Sequence, residues 1–435
     1  MKLGSVFFYS VRHFWSGEDG KRVSQLRGAV IGIALSLVPL VVVLEVANGM
    51  IEGITARYVE IGTFHLQVKS FNSLSAEELD SAAREVRSVK GVVGAFPIYS
   101  GLGLAYSSAG RTGVAVRALP SDLYSLDTGF RKYMTVTSGS FDLGGLNSVL
   151  LSDPVAAKLH AKVGDEIRLL TAKSLPGGGF ILRPTLLVVR GTFTTGYNEL
   201  DSLSIYVSQA MGSRLFTDPG SAFIGVTVND PYGNLSAVSW NIKQRMSGEW
   251  YVYTWYDIEK PMYKTFETTK NLLLFIMVLI VIVASVNISS SLVMLVIEKR
   301  SEIAILKGLG GSPRGISRSF VFAGFIIGVS GTALGLLLGL LAAVNINQVI
   351  SGIQLAINGA IDLWRLLLSP FTHAEMPSHI TLLSSSYYLS TIPIRIDWPE
   401  IAIVGMVTVT LATAAAWFPA RQASQIKPLE ILRRY

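Results

Sequence analysis

Long apolar blocks alternate along the chain with stretches of mixed composition. A membrane-spanning helix needs about 20 mostly apolar residues, and four blocks qualify. The first, Gly28 to Leu44 and on to Ala47, lies between Arg27 and Glu45. The second, Leu272 to Ile297, carries no charge. The third is uncharged from Ser319 to Ile361, longer than one span requires, and the fourth runs from Ile401 to Ala420. These blocks predict spans over 26–48, 271–297, 317–347 and 400–420. The leading region and the first block are both too long for a cleaved leader. Upstream, Leu3, Phe7, Val11 and Phe14 recur at helical spacing beside Trp15. That pattern predicts an amphipathic helix over 1–25 lying on the cytoplasmic membrane surface. Glu45 reads as an interfacial residue rather than a buried charge.

Between the first two spans, 49–268 has the pattern of a water-soluble domain. Phe64 to Val68 and Val92 to Ile98 read as strands around a helix from Ala76 to Val89. Ser75 with Glu78 three residues later predicts a capping box at that helix's start. A second strand–helix–strand set follows at Phe223 to Val228, Leu235 to Met246 and Trp250 to Trp255. The two sets predict one membrane-proximal α+β part made of 49–100 and 216–268. The intervening 101–215, with short alternating runs rich in Gly, Val and Thr, predicts a mostly β part. The fold class is therefore membrane α plus α+β: four transmembrane helices with a large two-part domain inserted between helices 1 and 2.

Within the β-rich part, Leu175, Pro176, three glycines, then Phe180, Ile181, Leu182, Arg183 and Pro184 make a projecting hairpin tip. Its apolar residues either meet a partner protein or fold back on the domain. After the second span, Ile303, Leu306 and the stem of Lys307 share a helical face. Gly308, Gly310 and Gly311 stop that helix, and Ser312-Pro313 starts the next. This apolar ridge rimmed by Glu298, Arg300 and Glu302 is either a grip for a soluble subunit or an ordinary re-entry loop. From Ile350 to Leu368, isoleucines and leucines keep helical spacing in the external loop 348–398, predicting an amphipathic helix.

Composition sharpens this picture. Of 435 residues, 50% are hydrophobic and 15% charged, against about 25% charged in a typical soluble domain. Lys and Arg exceed Asp and Glu by 37 − 30 = 7. Residues 50–268 hold 20 basic and 20 acidic side chains, so the whole excess sits at the membrane flanks. Basic flanks mark the cytoplasmic side, which places both termini and 298–314 there and the large domain outside. The same distribution points to anionic lipid and away from nucleic acid. With no cysteine, disulfides and thiolate sites are excluded. No Gly-x-x-x-x-Gly-Lys-Ser/Thr and no Gly-x-Ser-x-Gly occurs. His373 and His379, six apart, do not match a zinc-protease helix. The chain is expected to be neither an ATPase nor any other enzyme, and to hold no metal.

The run from Glu298 through Lys299-Arg300-Ser301-Glu302-Ile303-Ala304-Ile305-Leu306-Lys307-Gly308-Leu309-Gly310-Gly311-Ser312 resembles the signature of FtsX-like ABC transporter permeases. The C-terminal run Phe418 to Arg433 is similar to the ending of that family. Ala47 to Met50, Ala284 to Leu292, Gly191 to Tyr197 with Asp201-Ser202, and Tyr388 with Ile392 to Ile396 resemble the lipoprotein-releasing (LolC/LolE-type) branch. The stretch Ser351 to Ser386 departs from it by its length. The resemblance implies that Glu298, Arg300, Glu302, Ile303, Leu306, Lys307, Gly308 and Gly310 form a coupling helix docked on ATPase subunits. Two such subunits would bind the ATP and Mg, leaving this chain without a cofactor. It implies a second permease, identical or homologous, an acylated lipoprotein cargo, and an inner-membrane location. It also implies a periplasmic carrier gripped by a hook, matched here by the 175–184 tip. Leu40, Val43, Leu44 and Met50, facing Phe266, Leu273 and Met277, are expected to receive the acyl chains, or else to pack helix on helix. Two alternatives stand beside this reading: a macrolide- or peptide-type exporter permease, and a division-type scaffold controlling a cell-wall hydrolase.

Overall fold

The computed structural model describes residues 20–72, 74–174, 180–218, 220–368, 382, 389 and 392–426. The amphipathic helix expected over 1–25 falls almost wholly outside them, as do Leu175 and Pro176 of the tip and 427–435. In chain order the main elements are α1 (Gly20–Arg57), β1 (Leu66–Lys69), α2 (Ala76–Arg87), β2 (Val92–Tyr106), β3 (Arg111–Leu119), β4 (Thr135–Gly139), β5 (Ser148–Ser152), β6 (Glu166–Ser174), β7 (Phe180–Thr194), β8 (Ser204–Ser208), β9 (Ala222–Val228), α3 (Leu235–Arg245), β10 (Tyr251–Thr254), α4 (Lys260–Glu298), α5 (Arg300–Gly308), α6 (Pro313–Val344), α7 (Ile346–Leu368), α8 (Trp398–Ala415) and α9 (Trp417–Gln425). The chain divides into two compact units, one helical (to Met50, then from Phe266, then from Ile392) and one α+β (Ile51–Thr265).

Among the described residues, four helical stretches are long and apolar enough to cross a membrane: Arg27–Thr63, Lys260–Glu298, Pro313–Val344 and Trp398–Gln425. Between apolar helices in lipid, close packing rather than the hydrophobic effect drives association, and small residues permit it. Gly331, Gly335 and Gly339 of α6 do this against α1. A Cβ added at each would lie 2.8 Å from the Cβ of Ile33, Leu37 and Val41 respectively. Higher on α6, Gly324 and Gly328 do the same against Ala416 and Ala412. Leu40, Leu44, Met277, Ile288, Leu292 and Val404 join the resulting core.

In the α+β unit, β1 is central, antiparallel to β10 (Leu66↔Thr254) and to β9 (Leu66↔Val226). The first half of β2 pairs with β9, from Val92 to Tyr99. One face of this sheet is covered by α2 and α3, where Leu79, Val86, Leu235 and Ile242 meet Val68 and Val226. The capping box is present: Ser75 Oγ accepts from Glu78 N–H while the Glu78 carboxylate accepts from Ser75 N–H at 2.8 Å. Phe64, Phe96, Ile98 and Phe223 form a second core on the other face.

The 15-residue β2 then continues beyond this sheet. Its second half pairs with β3 on one side and β6 on the other. Following β3 to β8, β5, β7 and back to β6 closes a ring of six strands. Val114, Val116, Leu169, Leu187 and Val207 are fully or almost fully buried among these strands. The α+β sheet and this ring share β2, and all ten strands form one sheet.

Candidate coupling segment, hook and lipid-facing residues

α5 follows α4 almost without pause, broken at Lys299, whose Nζ reaches Glu302 Oε1 at 2.5 Å. The helix ends in a Schellman motif. Gly311 N–H returns to Leu306 O at 2.9 Å, Gly310 N–H to Lys307 O at 3.1 Å, and Gly310 sits at φ +91°. That backbone conformation costs a residue with a Cβ, which is why the turn needs glycine. Ser312 Oγ then caps α6 by accepting from Gly315 N–H, with Pro313 in its first turn. The ridge expected from sequence is turned differently. Ile303 is 4% exposed and packs in the bundle core, with Ala304 fully buried beside it. Lys307 donates to Ser424 O at 2.8 Å and Ile426 O at 2.6 Å, closing the end of α9. Leu306 is half-buried. Glu298, Arg300, Gly308 and Gly310 are exposed, and the apolar residues that face solvent are Ile305 (50%) and Leu309 (82%). These two, at i and i+4, share one face, and the sequence reading missed them.

β6 and β7 pair from Glu166↔Val188 to Ser174↔Phe180, so they form the two legs of the expected hairpin. Near its end Ile181 and Leu182, neighbours on opposite faces of the strand, are both about half exposed (51% and 55%). Closer to the ring, Leu186 is exposed while Leu187 is fully buried. The hairpin thus extends past the core with solvent on both sides. Pro184 is exposed, and of Phe180 and Arg183 only the backbone is described.

Among the lipid-facing set, Leu40, Leu44 and Met277 pack together in the bundle interior. Met50, Phe266 and Leu273 are partly buried. Val43 is 51% exposed and faces away. Glu45, expected at the interface, is fully buried instead, and neither carboxylate oxygen has a hydrogen-bond partner. The Asp397 backbone amide lies beside it, and Lys270, Glu400 and Asp397 are the charged groups around it. The reason is rotational: Glu45 lies one helical repeat beyond Val41, on the face that meets the other spans. Next to it, Asn48 Nδ2 donates to Glu400 Oε2 at 2.5 Å and Lys270 Nζ lies 3.2 Å from Glu400 Oε1. A Cβ on Gly49 would stand 1.8 Å from Pro393 O. Two segments quoted for their resemblance, 47–50 and 392–396, are therefore in direct contact.

The Gly191–Tyr197 segment also gains a physical role. Asp201, 2% exposed, accepts from Thr195 N–H and from Thr194 Oγ1, and Arg57 Nε donates to Thr195 O at 2.8 Å. Burial pushes the Asp201 carboxyl above the usual range, against the pull of these donors. The segment is a clasp between the end of β7 and the end of α1.

Two family models match. The FtsX-like permease C-terminal model covers 274–428, and the MacB-like periplasmic core domain model covers 28–238. The chain thus carries an FtsX-like permease C-terminal region after a MacB-like periplasmic core domain. It is 26% identical to "Lipoprotein-releasing system transmembrane protein LolC" of Neisseria meningitidis serogroup B, over 93% of each chain. To "Lipoprotein-releasing system transmembrane protein LolE" of Haemophilus influenzae it is 24% identical, over 99% of each. Among solved structures, the periplasmic region of MacB from Actinobacillus actinomycetemcomitans aligns with 47% of the permease and 95% of its own chain, at 13% identity and a TM-score of 0.31. The permease is an inner-membrane protein with a periplasmic α+β domain. Among its described residues no group of His, Cys, Asp or Glu is arranged to hold a metal.

Proposed function

We propose that this permease is the membrane subunit of an ATP-driven lipoprotein-releasing transporter, taking acylated lipoproteins from the outer leaflet and passing them to a periplasmic carrier. The observation that carries the reading is the likeness along nearly the whole chain to proteins named for lipoprotein release. Work must be done on such a cargo. Each buried methylene holds it with about 0.8 kcal/mol, so one chain of ~15 carbons costs about 12 kcal/mol to withdraw. The work comes from two partner ATPases that bind ATP and Mg and grip the exposed face of α5. The basic flanks support a cytoplasmic position for that helix and both termini. A second permease completes the membrane pathway, and the 175–184 hairpin grips the carrier.

Leu40, Leu44 and Met277 pack in one cluster in the bundle interior. Receiving cargo therefore requires α1 and α4 to part at that level, and ATP-driven motion of α5, continuous with α4, supplies the movement. Depleting the permease and fractionating membranes tests the function: lipoproteins should accumulate in the inner membrane. Normal lipoprotein sorting with lost drug or peptide efflux would favour the exporter reading, and normal sorting with a division defect the scaffold.

A further inference from the structure

α7 follows the third span after a break at Asn345 and has no part in the release reading. Its root is fixed. Asn347 Nδ2 donates to Ile392 O at 3.0 Å, and Asn347 Oδ1 accepts from Ile392 N–H at 3.2 Å. The next residue, Pro393, is the one whose carbonyl lies against Gly49. α7 therefore starts beside the outer ends of the first and fourth spans.

Three strips run along the helix. Ile350, Gln354, Ile357 and Ile361 recur at helical spacing and are half-buried. Val349, Ile353, Ala356, Ala360, Leu363 and Trp364 form a second strip, and all six are exposed, Leu363 at 62% and Trp364 at 66%. On the side away from that strip lie Gln348, Ser351 and Gly359, also exposed, with Leu355 among them. A helix with an uncovered apolar strip on one side and a polar strip on the other is built for a boundary between two media.

The position of α7 says which boundary. At 1.5 Å per residue, the uncharged part of α6 from Ser319 to Val344 is about 39 Å long, against a hydrocarbon core of about 30 Å. α7 thus begins where the third span has already left that core. Leu337, Leu341 and Val344 are exposed on α6 inside the span and so face lipid, and along the chain they lead straight to Val349 and Ile353. A crossing by α7 itself would put the basic segments before α6 and after α8 on opposite sides of the membrane. It would also place the polar strip in hydrocarbon. From Ser319 to Ile361 there is no charge, so along most of α7 burial of apolar area, not attraction to anionic headgroups, supplies the binding.

We propose that α7 is an interfacial helix whose strip from Val349 to Trp364 is seated in the outer leaflet of the inner membrane, in the plane of the headgroups and the first methylenes. Through the Asn347–Ile392 pair it holds the entry to the fourth span at the level of that leaflet. The inference asks only that the helical unit span a membrane and does not rest on the release reading, which is judged by lipoprotein sorting.

The natural sequence has no cysteine, so single cysteines can report depth in the full-length permease. Ile353→Cys and Ala360→Cys on the apolar strip, and Ser351→Cys on the polar one, are labelled with an environment-sensitive fluorophore. The labelled proteins are placed in nanodiscs of phosphatidylcholine, alone or mixed equally with phosphatidylglycerol. Labels at 353 and 360 should be quenched by lipids with a nitroxide near the headgroup and shielded from acrylamide in the water. The label at 351 should show the reverse, and both patterns should be the same in the two lipid mixtures and at high salt. Adding Ile353→Asp and Trp364→Asp to the Ala360→Cys protein should abolish lipid quenching there and open the label to acrylamide, with the melting temperature unchanged because both positions are exposed. Shielding of the strip from both quenchers would mean that protein covers it, a second copy or the segment 369–391, and would overturn the proposal. So would equal access of acrylamide to both strips, quenching strongest by nitroxides at the chain ends, quenching that requires phosphatidylglycerol, or lipid quenching that survives the two aspartates.

Discussion

Two glutamates in the helical unit sit a few residues from apolar runs and are nearly equal in burial, yet their surroundings are opposite. Glu400 is satisfied by Asn48 and Lys270. Glu45 has no hydrogen-bonding partner for either oxygen. Removing an unsatisfied buried polar group is neutral or stabilising, whereas removing one member of a satisfied set strands the others. Glu45→Leu should therefore raise the melting temperature of the solubilised permease and Glu400→Leu should lower it, each read by a thermal shift monitored by size exclusion. A fall with Glu45→Leu would mean that the carboxyl has a partner of its own in the assembled transporter. Glu45 also marks where sequence reading stops. A charge at the end of an apolar block gives depth along the helix, not the side of the helix that neighbours will cover. Lys307 carries the same lesson, since nothing in its local pattern announces that Ser424 and Ile426, far along the chain, are its acceptors.

At the scale of elements, the spans and the two strand–helix–strand sets were legible because each rests on local chemistry. Apolar length marks the spans, and the Ser75–Glu78 box fixes where α2 begins. What local pattern does not carry is that β2 is one strand serving two sheets. Its partners lie at 111–118, 168–171 and 222–228, and the choice among them depends on distant strands arriving in register. The glycines of α6 are an intermediate case. Their spacing at 331, 335 and 339 suggests a packing face, and the structure names its occupant as Ile33, Leu37 and Val41 of α1. Even a methyl group is excluded there: at Gly335 a Cβ would stand 2.8 Å from Leu37 Cβ and 3.0 Å from Ala34 Cα, both on a packed helix. Gly335→Ala should cost about 1–3 kcal/mol by overpacking, while Gly352→Ala on α7, where nothing lies within 4 Å, should cost nothing. Denaturation of the two variants in the same detergent compares them directly; equal loss at both sites would refute the packing role of the stripe.

For the whole molecule, the proposed release function asks for force to enter through a surface that an outside subunit can hold. α5 is the structural candidate because it is continuous with α4 at one end and is stopped sharply at Gly310 at the other. Its two faces have separate duties. Ile303 and Ala304 secure it to the bundle, and Lys307 ties it to the end of α9, so a push on α5 is passed to the spans rather than absorbed by a loose loop. Ile305 and Leu309 look outward, and 82% exposure of a leucine beside a tight turn is the sort of apolar surface that a protein partner covers. The two faces make separable predictions. Ile305→Asp with Leu309→Asp should leave the melting temperature of the permease within a degree or two, since exposed substitutions seldom shift stability by more than about 0.5 kcal/mol. It should nonetheless abolish copurification with the ATPase and strand lipoproteins in the inner membrane. Ile303→Asp should instead unfold the helical unit, because it buries an unpaired charge. Copurification and sorting retained by the double variant, at normal expression, would show that the ATPases grip some other part of the chain.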